Sequence, residues 1–285
     1  VKNARTLRLL LAVPAVALIF VFMILPITNM VDMSFRTPGT SQPFGDQYTL
    51  MNYTRILGDN YYWGVLARSL LTAATVTFIC LVVSYPIAWH LSRAKGMKAA
   101  LLYACIASPL MTGVLVRNFG WMIIAALNGP LNETLIGLGI IERPLRLLFT
   151  QGLVVLALVH VFVPFMVLPI NNALRNIPAS LLEASASMGA SRYRVFRDIV
   201  LPLSFPGIQP GIILVYVLAV AAYVTPALLG GHMVTYMPTV IIAELTGTFR
   251  WPLGSSLAIM LSVSTVTIVI IFTMLTWKLL ERARP

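Results

Sequence analysis

Few side chains in this 285-residue chain are equipped for chemistry, and their spacing narrows what that chemistry can be. The three histidines, His90, His160 and His232, lie far apart, and no CxxC or HExxH spacing sets out a metal site. Cys80 and Cys105 fall inside apolar runs and read as small core residues rather than a disulfide pair. No G-x-x-x-x-G-K-[ST] occurs, and Gly137-Leu138-Gly139 lacks the third glycine and the preceding strand of a dinucleotide fingerprint. No Ser/His/Asp or Cys/His grouping is suggested by spacing, and the apolar runs hold no paired carboxylates. Two places remain. One is Arg117, a full charge inside a stretch long enough to cross a bilayer. The other is a polar, basic island, Glu183-Ala184-Ser185-Ala186-Ser187-Met188-Gly189, followed after nine residues by Ile199-Val200-Leu201-Pro202. Neither makes a catalytic site, and no metal or cofactor ligand is expected.

Locally the island reads as two short helices joined at a glycine. Ser180-Leu181-Leu182-Glu183 fits a capping box, in which hydroxyl and carboxylate each satisfy a free backbone donor. Gly189 supplies a left-handed residue to end the first helix, and Ser191 caps the second. Val195, Phe196, Ile199 and Val200 put an apolar stripe on that second helix, and Pro202 is expected to stop it.

These elements sit in a chain that is 59% hydrophobic and only 10% charged, far too apolar for an ordinary soluble domain. Several charge-free runs exceed the roughly 20 residues needed to cross a bilayer. The expected architecture is an all-α polytopic membrane protein, one membrane domain over 1–285. Its six spans are expected near 9–30, 69–91, 99–127, 153–174, 206–229 and 253–277, with a loop at 175–203. The first run, Leu9 to Val31, is longer than a signal-peptide core and no cleavage site follows it, so it reads as a span. Asn128-Gly129-Pro130 breaks the chain, and 131–141 is too short to cross and is expected at the interface.

Charge then sets the expected orientation. Lys2, Arg5, Arg8, Arg93, Lys95, Lys98, Arg175, Arg192, Arg194, Arg197, Lys278, Arg282 and Arg284 fall on one side of this six-span arrangement, with Glu183, Asp198 and Glu281. The other side and the span interiors hold seven basic residues and six acids. The positive-inside rule places the basic side, both termini and the island in the cytoplasm. The net charge of +11 is therefore a topology signal and not a nucleic-acid footprint.

The island resembles the EAA loop of ABC importer permeases: Glu-Ala-Ala, three residues, Gly, nine residues, Ile-x-Leu-Pro. It matches at Glu183, Ala184, Gly189, Ile199, Leu201 and Pro202, and departs in having Ser185 for the third small residue. Asn52-Tyr53-Thr54-Arg55, Leu131-Asn132-Glu133, Pro164-Phe165-Met166-Val167-Leu168-Pro169 and Pro226-Ala227-Leu228-Leu229-Gly230-Gly231 extend the likeness to nearly the whole chain. They resemble the spermidine/putrescine-type permeases, particularly the first permease subunit. The resemblance implies a type I importer fold and a second permease as partner. It also implies two ATPase subunits that carry the ATP-Mg and an extracytoplasmic solute-binding protein. In such a protein Glu183, Ala184, Ser185, Gly189, Ile199, Leu201 and Pro202 would couple to the ATPase. A plain helical hairpin explains each residue singly, but not so long a spacing held in register.

Arg117 has two readings. Lying about 27 Å along a helix from Ala99 at 1.5 Å per residue, it can snorkel to the outer interface. Alternatively it lines a translocation path with Trp121 and, from the fifth span, Tyr223, although aromatics in spans are more often packing or interfacial belt. A polyamine path calls for carboxylates and aromatic faces. The spans here offer no carboxylate, so a partner would have to supply it, whereas a zwitterionic or acidic amine-derived solute, such as an opine, suits Arg117. A secondary transporter would show paired repeats or intramembrane acids, and neither is found.

Overall fold

The computed structural model describes residues 2–39 and 42–282, the side chains of 2–12, 15, 16, 186 and 278–282 excepted. The expected cytoplasmic charges Lys2, Arg5, Arg8, Lys278, Arg282 and Arg284, with Glu281, lie outside the described side chains. Every regular element among the described residues is helical. In order they are α1 (Lys2–Ser34), α2 (Met51–Gly58), α3 (Asn60–Arg93), α4 (Gly96–Met111), α5 (Val114–Ile124), α6 (Pro130–Gly137) and α7 (Gln151–Arg175). They continue with α8 (Ala179–Ser187), α9 (Arg192–Val195), α10 (Leu201–Ala221), α11 (Met237–Ile242) and α12 (Trp251–Arg282), with π-helical turns at Phe196–Val200, Pro226–Gly230 and Ala243–Gly247. Among the described residues, five helices are long and apolar enough to cross a membrane, and the pair α4–α5 makes a sixth if counted as one broken span.

The chain divides into two compact units. Val1–Gly64 with Val240–Val263 form one. Its organising residue is Asn52, 4% exposed, whose amide donates to the carbonyls of Ser34 (3.0 Å) and Arg36 (2.9 Å). Ser256 Oγ donates to the same Ser34 carbonyl at 3.0 Å, and Tyr53 Oη to Ser34 Oγ at 2.8 Å. The last carbonyl of α1, Ser34's, which has no partner within the helix, is thus satisfied by side chains from two other elements. The Asn52-Tyr53 motif therefore works as a staple.

Val65–Thr239 with Ser264–Pro285 form the other unit. Its centre is α7, the most buried of the long apolar helices. One face of α3 carries Ala73, Cys80, Ser84 and Ala88, all 1% exposed or less, and Cys80 Sγ approaches the Val159 carbonyl at 3.7 Å. Small residues at this spacing let helices approach closely where no hydrophobic effect drives them together. From the other direction Gly207 and Gly211 of α10 bear on α7. A Cβ at Gly207 would run into the Pro169 carbonyl and come within 2.6 Å of Ala173 Cβ, and one at Gly211 would meet Met166 Sδ at 2.9 Å. A GxxxG contact thus fixes α10 on α7.

The third expected span, 99–127, is not one helix: α4 and α5 meet at 95°. Pro109 has no N–H to offer the Cys105 carbonyl, and Ser108 Oγ takes its place at 2.9 Å. Three residues after Pro109, Thr112 and then Gly113 turn extended (ψ 127° and 144°), and the helix restarts at Val114. The fifth expected span, 206–229, is also interrupted, because α10 ends at Ala222 with ψ 124°. Pro226 explains this, since it lacks the donor that would have closed the next turn on the Ala222 carbonyl. The segment 131–141 opens as the short α6, with Pro130 in the first turn. Buried Asn132 pins it, donating to the Ala126 and Leu145 carbonyls (both 3.0 Å) and accepting from Leu145 N at 2.8 Å.

Candidate functional site

The polar island leaves α7 at Asn176, whose N–H closes the helix on the Ala173 carbonyl (3.2 Å), and Pro178 then releases α8. The capping box does not form. Leu181 N–H bonds to the Pro178 carbonyl at 3.2 Å, so the helix starts at Ala179 and Ser180 falls inside its first turn, two places too late to cap. Ser180 and Glu183 are both exposed. Ser185 is the inward residue of the Glu183-Ala184-Ser185 triplet, 2% exposed with Oγ on the Leu182 carbonyl at 2.7 Å, while Glu183 and Ala184 face outward. A small residue suits this inward position, and Ser185 satisfies its hydroxyl within its own helix.

Gly189 ends α8 as expected. Its φ is +75°, and Ala190 N–H reaches back over it to the Ser185 carbonyl at 3.1 Å, the longer bond of a Schellman motif. Nothing lies within 4 Å of a Cβ built there, so the requirement for glycine is conformational and not one of space. Ser191 then caps α9, its Oγ accepting from Arg194 N at 3.3 Å.

Pro202 does not stop the second helix. The π turn at Phe196–Val200 sends Leu201 N–H to the carbonyl five residues back, at Phe196, and the helix runs on without a break from Arg192 to Ala221. The proline sits in the first turn after that re-registration, where a missing donor is tolerated. Val200 is fully buried and Ile199 half-buried, whereas Leu201 and Pro202 are exposed. Phe196 sets its ring edge-on to Tyr85 (5.7 Å) and Trp89 (6.5 Å) of α3, and Tyr85 Oη lies 3.1 Å from Ser204 Oγ. One 30-residue helix, about 45 Å long, thereby joins the island to the break before Tyr223. It is held on α3 at one end and on α7 through Gly207 and Gly211.

Of the path residues, Arg117 and Trp121 stand one turn apart on α5. Arg117 Nη2 donates at 2.6 Å to both the Pro109 and Thr112 carbonyls, across the 95° bend. Its guanidinium therefore caps the C-terminus of α4, a third reading beside snorkelling and solute binding. Charge-assisted bonds to carbonyls that have lost their helical partners are among the stronger ones available. Trp121 packs edge-on to His160 of α7, centroids 5.8 Å apart, and the His160 side chain is exposed. Tyr223, 38% exposed, occupies the unwound step after α10, and α5 packs against the following turn, Pro226–Gly230. Thirty-nine residues separate Trp121 from His160 in the sequence, and only the fold brings the two rings together.

Long apolar helices, one of them bent sharply, and an exposed polar hairpin continuous with a buried helix define a polytopic membrane transport component. The chain belongs to the family of binding-protein-dependent transport system inner membrane components, which matches residues 135–281. It is similar to the spermidine/putrescine transport system permease protein PotB of Salmonella typhimurium (strain LT2), with 34% identity covering 92% of this chain and 91% of the relative. PotB of Escherichia coli (strain K12) is 35% identical over 88% of this chain and 91% of its own length. Among solved structures it superposes on a bacterial ABC transporter involved in the import of the acidic polysaccharide alginate (TM-score 0.76, 15% identity, 97% of this chain and 98% of that one). The MetNI methionine ABC transporter, in an inward-facing form, gives a TM-score of 0.55 at 16% identity, over 83% and 98%. The protein thus has the ABC importer permease fold and is a multi-pass inner-membrane transport subunit.

Proposed function

We propose that this chain is one of two permease subunits of an ATP-driven, binding-protein-dependent importer whose solutes are polyamines of the spermidine and putrescine class. The observation that carries the reading is the 34% identity to PotB over 92% of the chain. In this reading the basic side, both termini and the hairpin at 175–203 are cytoplasmic, as the charge asymmetry supports. ATP-Mg binds to two ATPase subunits, a second permease completes the path, and an extracytoplasmic binding protein delivers the solute.

Glu183, Ala184, Ser185, Gly189, Ile199, Leu201 and Pro202 form the coupling element. The exposed face of α8 meets the ATPase, and Gly189 sets the angle at which α8 meets α9. The continuous helix from Arg192 to Ala221 carries the displacement into the membrane, where Tyr223 lies at its far end. Trp121 and Tyr223 border the path with aromatic faces suited to an ammonium. Arg117 borders it too, and acts by holding the bend on which Trp121 is carried. With its guanidinium engaged by backbone, Arg117 no longer argues for an acidic solute over a polyamine. The deciding experiment reconstitutes the complete complex with its binding protein in proteoliposomes and follows labelled spermidine, putrescine and an opine. ATP-dependent accumulation of the first two, outcompeting the third, is expected; uptake of the opine alone would overturn the substrate assignment.

A further inference from the structure

Beneath α8 lies a cavity of about 400 Å³, lined by Trp89 and Arg93 from the end of α3 and by Leu182, Arg192, Phe196 and Val200 from the hairpin. The Arg93 guanidinium stacks over the Trp89 ring at 3.6 Å, which fixes its position. No carboxylate contributes to the lining, and among the described residues no acid pairs with Arg93 or Arg192. The nearby Asp198 is turned to Arg197, at 4.0 Å. Trp89 and Arg93 end a membrane-crossing helix, the position at which aromatic and basic side chains meet the headgroup layer. The cavity therefore combines two guanidinium groups, one from α3 and one from the hairpin, with an apolar lining, at the end of a membrane-crossing helix.

We propose that this cavity holds the phosphate of an anionic phospholipid between Arg93 and Arg192, with the glycerol end of the lipid against Leu182, Phe196 and Val200. Basic pockets beside membrane helices take such headgroups through charge-assisted bonds from guanidinium to phosphate. A carboxylate from a soluble partner would answer the two arginines but leave the apolar wall uncovered. The lipid would brace α8 against α3, making the hairpin sensitive to the charge of the surrounding leaflet. The inference uses the coupling reading only for that consequence, since lipid retention is measured without transport.

The test is native mass spectrometry of the assembled complex released from nanodiscs of phosphatidylcholine with phosphatidylglycerol. One phosphatidylglycerol retained per copy of this chain, in preference to phosphatidylcholine, is expected. R192Q should weaken that retention on the order of tenfold, roughly the effect of one charge-assisted bond, and R93Q/R192Q should weaken it further. R194Q, an exposed arginine outside the lining, should retain the lipid like the wild type, and R192Q alone serves if the double variant does not assemble. Equal retention in wild type and the R93Q/R192Q or R192Q variant would overturn the proposal, as would indifference between the two lipids. Two further outcomes also count against it. Thermal stabilisation by inorganic phosphate in phosphatidylcholine-only nanodiscs matching that by phosphatidylglycerol would make a free anion the occupant. Retention seen only when the ATPase subunits are absent would assign the cavity to them.

Discussion

The Arg117 guanidinium donates to the Pro109 carbonyl at 2.6 Å, from the far side of a 95° bend in the chain. The same nitrogen takes the Thr112 carbonyl, so one side chain closes the end of α4 and sets the start of α5. The charge that α5 carries is thus spent on backbone that the bend leaves without partners.

Arg117→Gln should accordingly lower the thermal midpoint of the purified complex, since each lost bond to a charged donor costs about 1.5–3 kcal/mol. Arg117→Lys should recover part of the loss, because an ammonium keeps the charge and the donors but sits on a different stem that does not place its nitrogen where Nη2 lies. Uptake kinetics separate this role from solute binding. Reduced maximal uptake with an unchanged half-saturation for substrate is expected for the clamp, and a raised half-saturation with unaltered stability would assign Arg117 to the solute.

Close helix packing gives a second, graded expectation. Gly207→Ala places a methyl group against the Pro169 carbonyl and Ala173, both of which are part of a packed helix. Gly211→Ala meets only the end of the flexible Met166 side chain. The first should cost about 1–3 kcal/mol and the second less, read as loss of folded permease in detergent on heating. Equal effects would mean that α10 is not seated on α7 as described.

Orientation is tested by chemistry at two loops. With Cys80 and Cys105 replaced, a cysteine at Ser191 should react with impermeant thiol reagents only from the cytoplasm, and one at Asp59 only from outside. The reverse pattern would put the hairpin on the wrong side of the membrane for ATP.

Much of this was legible in the residues, because the features concerned are local. Long charge-free runs specify helices that span, Gly189 specifies a left-handed turn and Ser191 specifies a cap. Other features depend on neighbours in space. The bend between α4 and α5 lies in a stretch long and apolar enough to read as one span, and its stabilising partner, Arg117, reads as a snorkelling charge or a solute contact until Pro109 is seen beside it. Pro202 looks like a terminator, but the π turn before it shifts the register so that no donor is missed. Pro226 acts four residues upstream of itself, at Ala222. Ser180 resembles a cap only if the preceding proline does not start the helix first. Asn52 and Asn132 are recognisable as motif residues, yet their work as buried staples appears only when the carbonyls they satisfy are placed.

The coupling role of the hairpin is the central claim, and it is tested by ATP hydrolysis measured per assembled complex in proteoliposomes. Gly189→Val forces a β-branched residue to φ +75° and should tilt α8 away from its partner while the spans stay packed. Glu183→Ala removes an exposed charge from the outward face of α8 without disturbing a cap, since none is formed there. Both variants should insert and keep the second permease, yet lose the ATPase subunits or keep them without stimulation by loaded binding protein. Stimulated hydrolysis and uptake at wild-type levels in both variants would contradict the coupling role.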